Sequence, residues 1–238
     1  MNEGEIIHGP KLRHAAIITV IGYVTGWGVP FAEFYAIPKL FSSDNAARTV
    51  QNILSNQGLF LVALFSFLIN FLGDVLAAWG LYLLLRPVNA AISMLVAWLR
   101  VVFATVCLAA LGNLVTVHRL LTRPGSLSAL GKEQLNAQVH VAFGSFNSQF
   151  AFNLIIFGVH LIVLGWLIYR SGYLPSWLGI VLAINGAGWI VIESGPYLLP
   201  GVNLGIVWVA TFGELILLVW LIGWGTRLRE PITDRAPA

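Results

Sequence analysis

Apolar residues in this chain run in long blocks rather than alternating with polar ones, and six blocks reach the roughly 20 residues that a membrane crossing requires. They predict helices near 15–37, 59–85, 88–115, 145–169, 175–198 and 203–226. The breaks between them have physical causes. Arg86-Pro87 ends the second block, because proline cannot extend the hydrogen-bond ladder. Ser171 to Pro175 separates the fourth from the fifth, and Pro200-Gly201 the fifth from the sixth. Connections this short force antiparallel neighbours.

Two longer connections have their own patterns. Within 39–58, Ala46, Ala47, Val50, Ile53 and Leu54 recur at helical spacing after Asp44, an expected N-cap. The pattern predicts a short amphipathic helix near 44–56, lying on the membrane surface. Between 119 and 140, charged residues surround Pro124-Gly125. A helix is expected to start near Gly131 and to break at Gly144 before the fourth span proper. In the first span, Pro30 predicts a kink just before Glu33.

Composition supports a lipid environment. Hydrophobic residues make up 58% of the 238 positions and charged ones only 10%. A soluble domain carries about 25% charged residues. The expected fold class is therefore an all-α integral membrane protein, a single domain formed by a bundle of six transmembrane helices. Membrane lipids are its expected partners. The apolar run behind Lys11 and Arg13 is as long as a span, so it reads as a retained helix rather than a cleaved signal.

The net charge of +3 does not imply nucleic acid, since the 13 basic residues form no run and no face. They act better as topology signals. With a cytoplasmic N-terminus, Lys11, Arg13, Arg86, Arg170, Arg227, Arg229 and Arg235 fall inside. Lys39, Arg48, Arg119, Arg123 and Lys132 then fall outside. This bias places both termini on the cytoplasmic side of the cell membrane. No internal repeat is evident, and the sequence does not set an oligomeric state.

Several segments resemble a bacterial and archaeal membrane family, the domain-of-unknown-function 4386 family. They are Asp44-Asn-Ala-Ala-Arg-Thr-Val-Gln-Asn-Ile53, Leu81-Tyr-Leu-Leu-Leu-Arg-Pro-Val-Asn89, Tyr169-Arg-Ser-Gly-Tyr-Leu-Pro175 and Gly213-Glu-Leu215 followed by Trp220-Leu221. They occur in the family's order over most of the chain. The resemblance implies a multi-helix membrane fold and carries no established activity.

Candidate chemistry lies in the few polar groups inside the spans. A charge at the bilayer centre costs about 2.5–3.5 kcal/mol on insertion scales, so such groups face other helices and find partners. Asp74 and Arg100 stand about equally far from the hairpin tip at Pro87, which predicts an ion pair at one depth. Asn70 shares the face of Asp74. Glu214 and His160 fall in the same layer, and His160 shares a helix face with Asn153 and Gln149, an expected interior polar stripe. Glu33 and Glu193 form a second group nearer the opposite side, where they could touch Lys39, Arg48 or lipid headgroups.

One arginine thus faces two carboxylates, which leaves one acid without a full partner. Burial then favours a proton on it, and His160 could exchange that proton. Three uses follow: an inter-helix cavity that binds or moves a small solute or protons, an intramembrane enzyme on a lipid or isoprenoid, or charges that only fix helix register. The ligand would accordingly be a small polar molecule or a lipidic one.

Other chemistries are excluded or disfavoured. All lysines (11, 39 and 132) lie outside the spans, which rules out a retinal Schiff base there. The chain has no His-Glu-x-x-His run, no P-loop and no Gly-x-Ser-x-Gly motif. Cys107, the single cysteine, reads as a buried inert thiol. No metal and no cofactor are expected.

Overall fold

The computed structural model describes residues 12–123, 125 and 131–228. Lys11, Arg229 and Arg235, counted above as topology signals, and Pro124 of the loop lie outside the described residues. Six helices are long and apolar enough to cross a membrane. They are α1 (Leu12–Leu40), α3 (Gln57–Leu85), α4 (Ala90–Thr122), α5 (Lys132–Arg170), α6 (Ser176–Leu198) and α7 (Gly205–Arg227). The short α2 (Ala46–Ser55) joins α1 to α3. Large apolar side chains are exposed around the outside, among them Phe34, Ile206 and Val209 at 70–80% exposure or nearly so. A water-facing surface rarely carries so much, whereas acyl chains suit it. The protein is an all-α, multi-pass membrane protein.

The six spans form a closed ring in chain order. Each packs chiefly on its neighbour in sequence, and α7 returns to pack on α1. Glycines set the closest approaches. Gly165 and Gly179 face each other across α5 and α6, and so do Gly158 and Gly186 two turns away. A methyl group on Gly165 would lie 2.5 Å from the Gly179 carbonyl oxygen, so the two backbones touch. Gly22 of α1 is likewise seated against the backbone of Gly73 and Ala77 on α3.

Several local expectations need correction. The helix of residues 46–55 is capped by Asn45, whose Oδ1 accepts from Arg48 N at 2.9 Å. Asp44 does not cap it; its Oδ1 accepts the Ser42 hydroxyl at 2.8 Å, which holds the carboxyl below its ordinary range. The apolar face of α2, with Val50 and Ile53 buried, packs on the protein itself, mainly on the N-terminal part of α5. No break occurs at Gly144: α5 is one helix of 39 residues, about 58 Å long at roughly 1.5 Å per residue. A single glycine costs a helix only about 1 kcal/mol, and the packed neighbours of α5 outweigh that.

The first and last spans are not uniform helices. In α1 regular helix stops at Thr25 and resumes at Gly28, followed by a π-helical stretch over Ala32–Ala36 that carries Glu33. The interruption sits one turn before Pro30. Proline has no N–H for the Gly26 carbonyl, which instead accepts from Val29 N at 3.0 Å in a tighter turn. In α7, Gly205–Phe212 is 3-10 helix and becomes α-helix only from Gly213 to Trp224.

Candidate functional site

The α3–α4 hairpin sets the depth of the central pair. Near its tip the Ser93 hydroxyl donates to the Tyr82 carbonyl at 2.9 Å, which fixes the register. About two turns further along both helices, Asp74 and Arg100 meet. Arg100 Nη2 lies 2.5 Å and Nε 3.1 Å from the same oxygen, Asp74 Oδ1. The other carboxylate oxygen, Oδ2, accepts from Asn70 Nδ2 at 3.3 Å, one turn away on α3.

Arg100 also bridges to the last span. Its Nη1 donates to Glu214 Oε1 at 2.5 Å. These are the only ion pairs among the described residues. The Arg100 and Asp74 side chains are 3% and 7% exposed, whereas that of Glu214 is 23% exposed. The guanidinium also lies over two rings, Tyr23 at 4.8 Å and Phe157 at 5.4 Å from their centres. Aromatic faces attract a desolvated cation in this way.

His160 has a defined tautomer. Its Nδ1 is 2.9 Å from the Val96 carbonyl oxygen, which can only accept, so Nδ1 carries the proton. Nε2 then presents its lone pair to Arg100 Nη1 at 3.4 Å. No hydrogen bond joins His160 to either carboxylate. It acts as a neutral acceptor for the arginine, and the expected proton exchange through it finds no contact here.

The expected polar stripe faces the interior only in part. Asn153 is half-buried and bonds the buried Cys107 thiol of α4, whereas Gln149 is exposed and accepts from Asn113 of α4 at 3.1 Å. The stripe shares one helix face, but α5 is long enough for that face to leave the bundle centre as it rises. Glu33 and Glu193 are both half-buried and near enough to repel each other. Neither meets Lys39 or Arg48 in an ion pair; Lys39 Nζ instead bonds the Tyr35 hydroxyl at 2.6 Å.

Two residues of the centre were not anticipated from sequence. Tyr23 lies between Gly22 and Gly26, and those glycines drew attention to packing alone. Its hydroxyl faces Glu214 electrostatically, without a hydrogen bond of regular geometry. Asn185 of α6 is fully buried, and its Oδ1 accepts from the backbone N–H of Glu214 at 3.1 Å. That bond satisfies an N–H left free where α-helix starts in α7. Asn185 is the one strongly polar side chain in the middle of the fifth apolar run, a signal available from the sequence.

The centre therefore draws one polar side chain from every span: Tyr23, Asp74, Arg100, His160, Asn185 and Glu214 in chain order. The arrangement can hold a proton or a hydrogen-bonding group. No Ser, Thr or Cys side chain bonds His160 or Glu214, so no activated nucleophile is present among the described residues. Nor do three or more His, Cys, Asp or Glu side chains group there as metal ligands would.

Comparison with known proteins gives two matches. The family model described as "Domain of unknown function (DUF4386)" matches residues 19–225. An "Uncharacterized protein" of Archaeoglobus fulgidus is 32% identical over 189 residues, covering 79% of this chain and 93% of its own length. No solved structure matches.

Proposed function

The chain belongs to this family of unknown function, DUF4386, and we propose from its charged centre that it binds protons inside the membrane and passes them across, alone or with a small solute. One observation carries the reading: a single guanidinium is shared by two carboxylates from different spans. With every group ionised the centre would hold a net negative charge in a medium where uncompensated charge is very costly. One bound proton removes that charge. Glu214 is the acid through which that proton can enter and leave, because it is the more exposed of the two and makes a single contact with Arg100.

Protonation at Glu214 would weaken its hold on Arg100, and deprotonation would restore it. α7 is the span placed to respond. It begins as 3-10 helix, has poorer hydrogen-bond geometry there, and buries the smallest share of its surface among the six. In this reading the N- and C-terminal ends face the cytoplasm, as the distribution of Arg and Lys supports.

Purified protein in liposomes with an internal pH dye tests this under an imposed potassium diffusion potential. Wild type should move protons several-fold faster than protein-free liposomes, and Glu214→Gln should fall to background. Equal rates in wild type and empty liposomes, or an undiminished rate in the variant, would remove the proposal.

A structural role for the same cluster is the second reading. It is favoured by the closure of the centre: Arg100 reaches α3, α5 and α7 from α4, and none of the central polar residues lines the surface cleft beside Phe60 and His118 or the one on the α1–α7 seam. Reciprocal exchange, Asp74→Arg with Arg100→Asp, separates the two. A register lock keeps both stability and phenotype, whereas a folded exchange variant that loses activity argues against it.

A further inference from the structure

Two buried polar atoms beside Glu214 lack a well-aligned hydrogen bond. The Tyr23 hydroxyl faces the Glu214 carboxylate without regular hydrogen-bond geometry, and the Asn185 Nδ2 bonds nothing among the described residues; both are shielded from solvent. Their residues are 7% and 0% exposed. Buried polar groups in folded proteins almost always hydrogen-bond to protein, water or ligand, because leaving one unpaired forfeits the bond it made to solvent.

Both atoms belong to residues that adjoin Glu214 from different sides, α1 and α6. Glu214 Oε1 is committed to Arg100, and Oε2 makes no hydrogen bond of regular geometry among the described residues. Asn185 Nδ2 supplies donors, Oε2 accepts when Glu214 is ionised and donates when it carries a proton, and the tyrosine hydroxyl can serve as either. This combination suits one neutral group that donates and accepts, which is a hydroxyl. A cation would meet the Asn185 N–H groups, and an anion would meet the Glu214 carboxylate.

The seam where α7 closes on α1 is more sparsely packed than the other neighbour pairs of the ring. An apolar cleft opens there, lined by Ala16, Val20, Leu221 and Ile222 among others. Tyr23 stands one turn beyond Val20, and Glu214 two turns before Leu221, on the same two helices.

We propose that Tyr23, Asn185 and Glu214 form a binding site for one hydroxyl group, entering along the α1–α7 seam. The hydroxyl is that of an internal water or of a lipid alcohol. The site rests on the reading of Glu214 as the proton-binding acid, and gives that acid a partner through which its proton exchanges.

Two measurements on the full chain in lipid nanodiscs test the site. Infrared spectra of wild type should contain an O–H stretch from a bound, hydrogen-bonded hydroxyl that Tyr23→Phe removes. A shift of that band in H2-18O identifies water; a band that stays unshifted and disappears on delipidation identifies a lipid hydroxyl. Thermal unfolding gives a second readout with opposite signs. If the Tyr23 hydroxyl is unliganded, Tyr23→Phe removes a penalty and leaves Tm unchanged or higher. If it holds a bound hydroxyl, Tm falls. The phenylalanine keeps the ring over Arg100, so the fold is retained; Asn185→Leu should remove the same band wherever it folds.

The site stands only if the wild-type band shifts in H2-18O or disappears on delipidation, is lost in Tyr23→Phe, and its loss is accompanied by a lower Tm. A band that neither shifts nor disappears is the tyrosine's own O–H and overturns the site. A missing band, a band retained in that variant, or an unchanged or raised Tm overturns it. Proton flux is measured independently. A hydroxyl site in a protein that moves no protons would sink the functional proposal and leave this one in place.

Discussion

Asp74 Oδ1 accepts two hydrogen bonds from Arg100, from Nη2 at 2.5 Å and Nε at 3.1 Å, so the side of the guanidinium rather than its tip holds the acid. This leaves Nη1 free to turn toward α7 and α5, where it meets Glu214 and His160. The planar fork of arginine is what lets one side chain tie four spans together.

Removing that fork strands two buried acids. Arg100→Leu should destabilise the protein by about 3–5 kcal/mol, the usual cost of breaking a buried pair. Arg100→Lys keeps the charge but cannot match the fork, and should fall between the two. Thermal or denaturant unfolding in one detergent ranks the three; a lysine variant as stable as wild type would contradict the geometry.

The glycine pairs across α5 and α6 make a second prediction. Gly165→Ala places a methyl group 2.5 Å from the Gly179 carbonyl oxygen and must push the helices apart. Overpacking of this kind costs about 1–3 kcal/mol. Gly112→Ala, in α4, meets nothing within 4 Å and should instead stabilise by about 0.5–1 kcal/mol through helix propensity. Paired unfolding curves check the opposite signs.

The start of α2 offers a third. Asn45→Ala should cost about 1 kcal/mol by removing the cap on Arg48 N. Asp44→Ala should cost less, because Asp44 bonds only Ser42 among side chains. The Ser42 bond lowers the Asp44 titration point, so its stabilising effect is full above the ordinary carboxylate range. It is lost as pH falls through the lowered value. Ser42→Ala should flatten that acid-side dependence, as followed by unfolding against pH.

Topology can be tested without reference to the centre. Cys107 is buried, so single cysteines introduced elsewhere report access cleanly. Cysteine at Arg170 should react with an impermeant thiol reagent only from the cytoplasmic side, and cysteine at Lys132 only from the opposite side. The reverse pattern would invert the assigned orientation.

Tyr173 illustrates a contact that no pattern announced. It lies in the short α5–α6 connection, and its hydroxyl donates to the Leu84 carbonyl at 2.5 Å near the end of α3. Burial there pushes its phenol above the ordinary range. The sequence marked this segment as a turn, and only packing tied it to a distant helix.

Sequence by itself determined the solvent and the spans. Hydrophobic runs of sufficient length, ended by proline and glycine, admit few structures in lipid other than crossing helices, because every backbone group must be satisfied within its own segment. It also placed Asp74 and Arg100 at one depth, since a tight hairpin makes distance from its tip equal on both arms. Tertiary structure decided what depth cannot: which faces meet. Helix rotation and the closing of α7 on α1 brought Tyr23 and Asn185 to Glu214, turned Gln149 outward and oriented His160 toward a carbonyl. Those outcomes depend on contacts between spans far apart in sequence, where no local spacing fixes the angle.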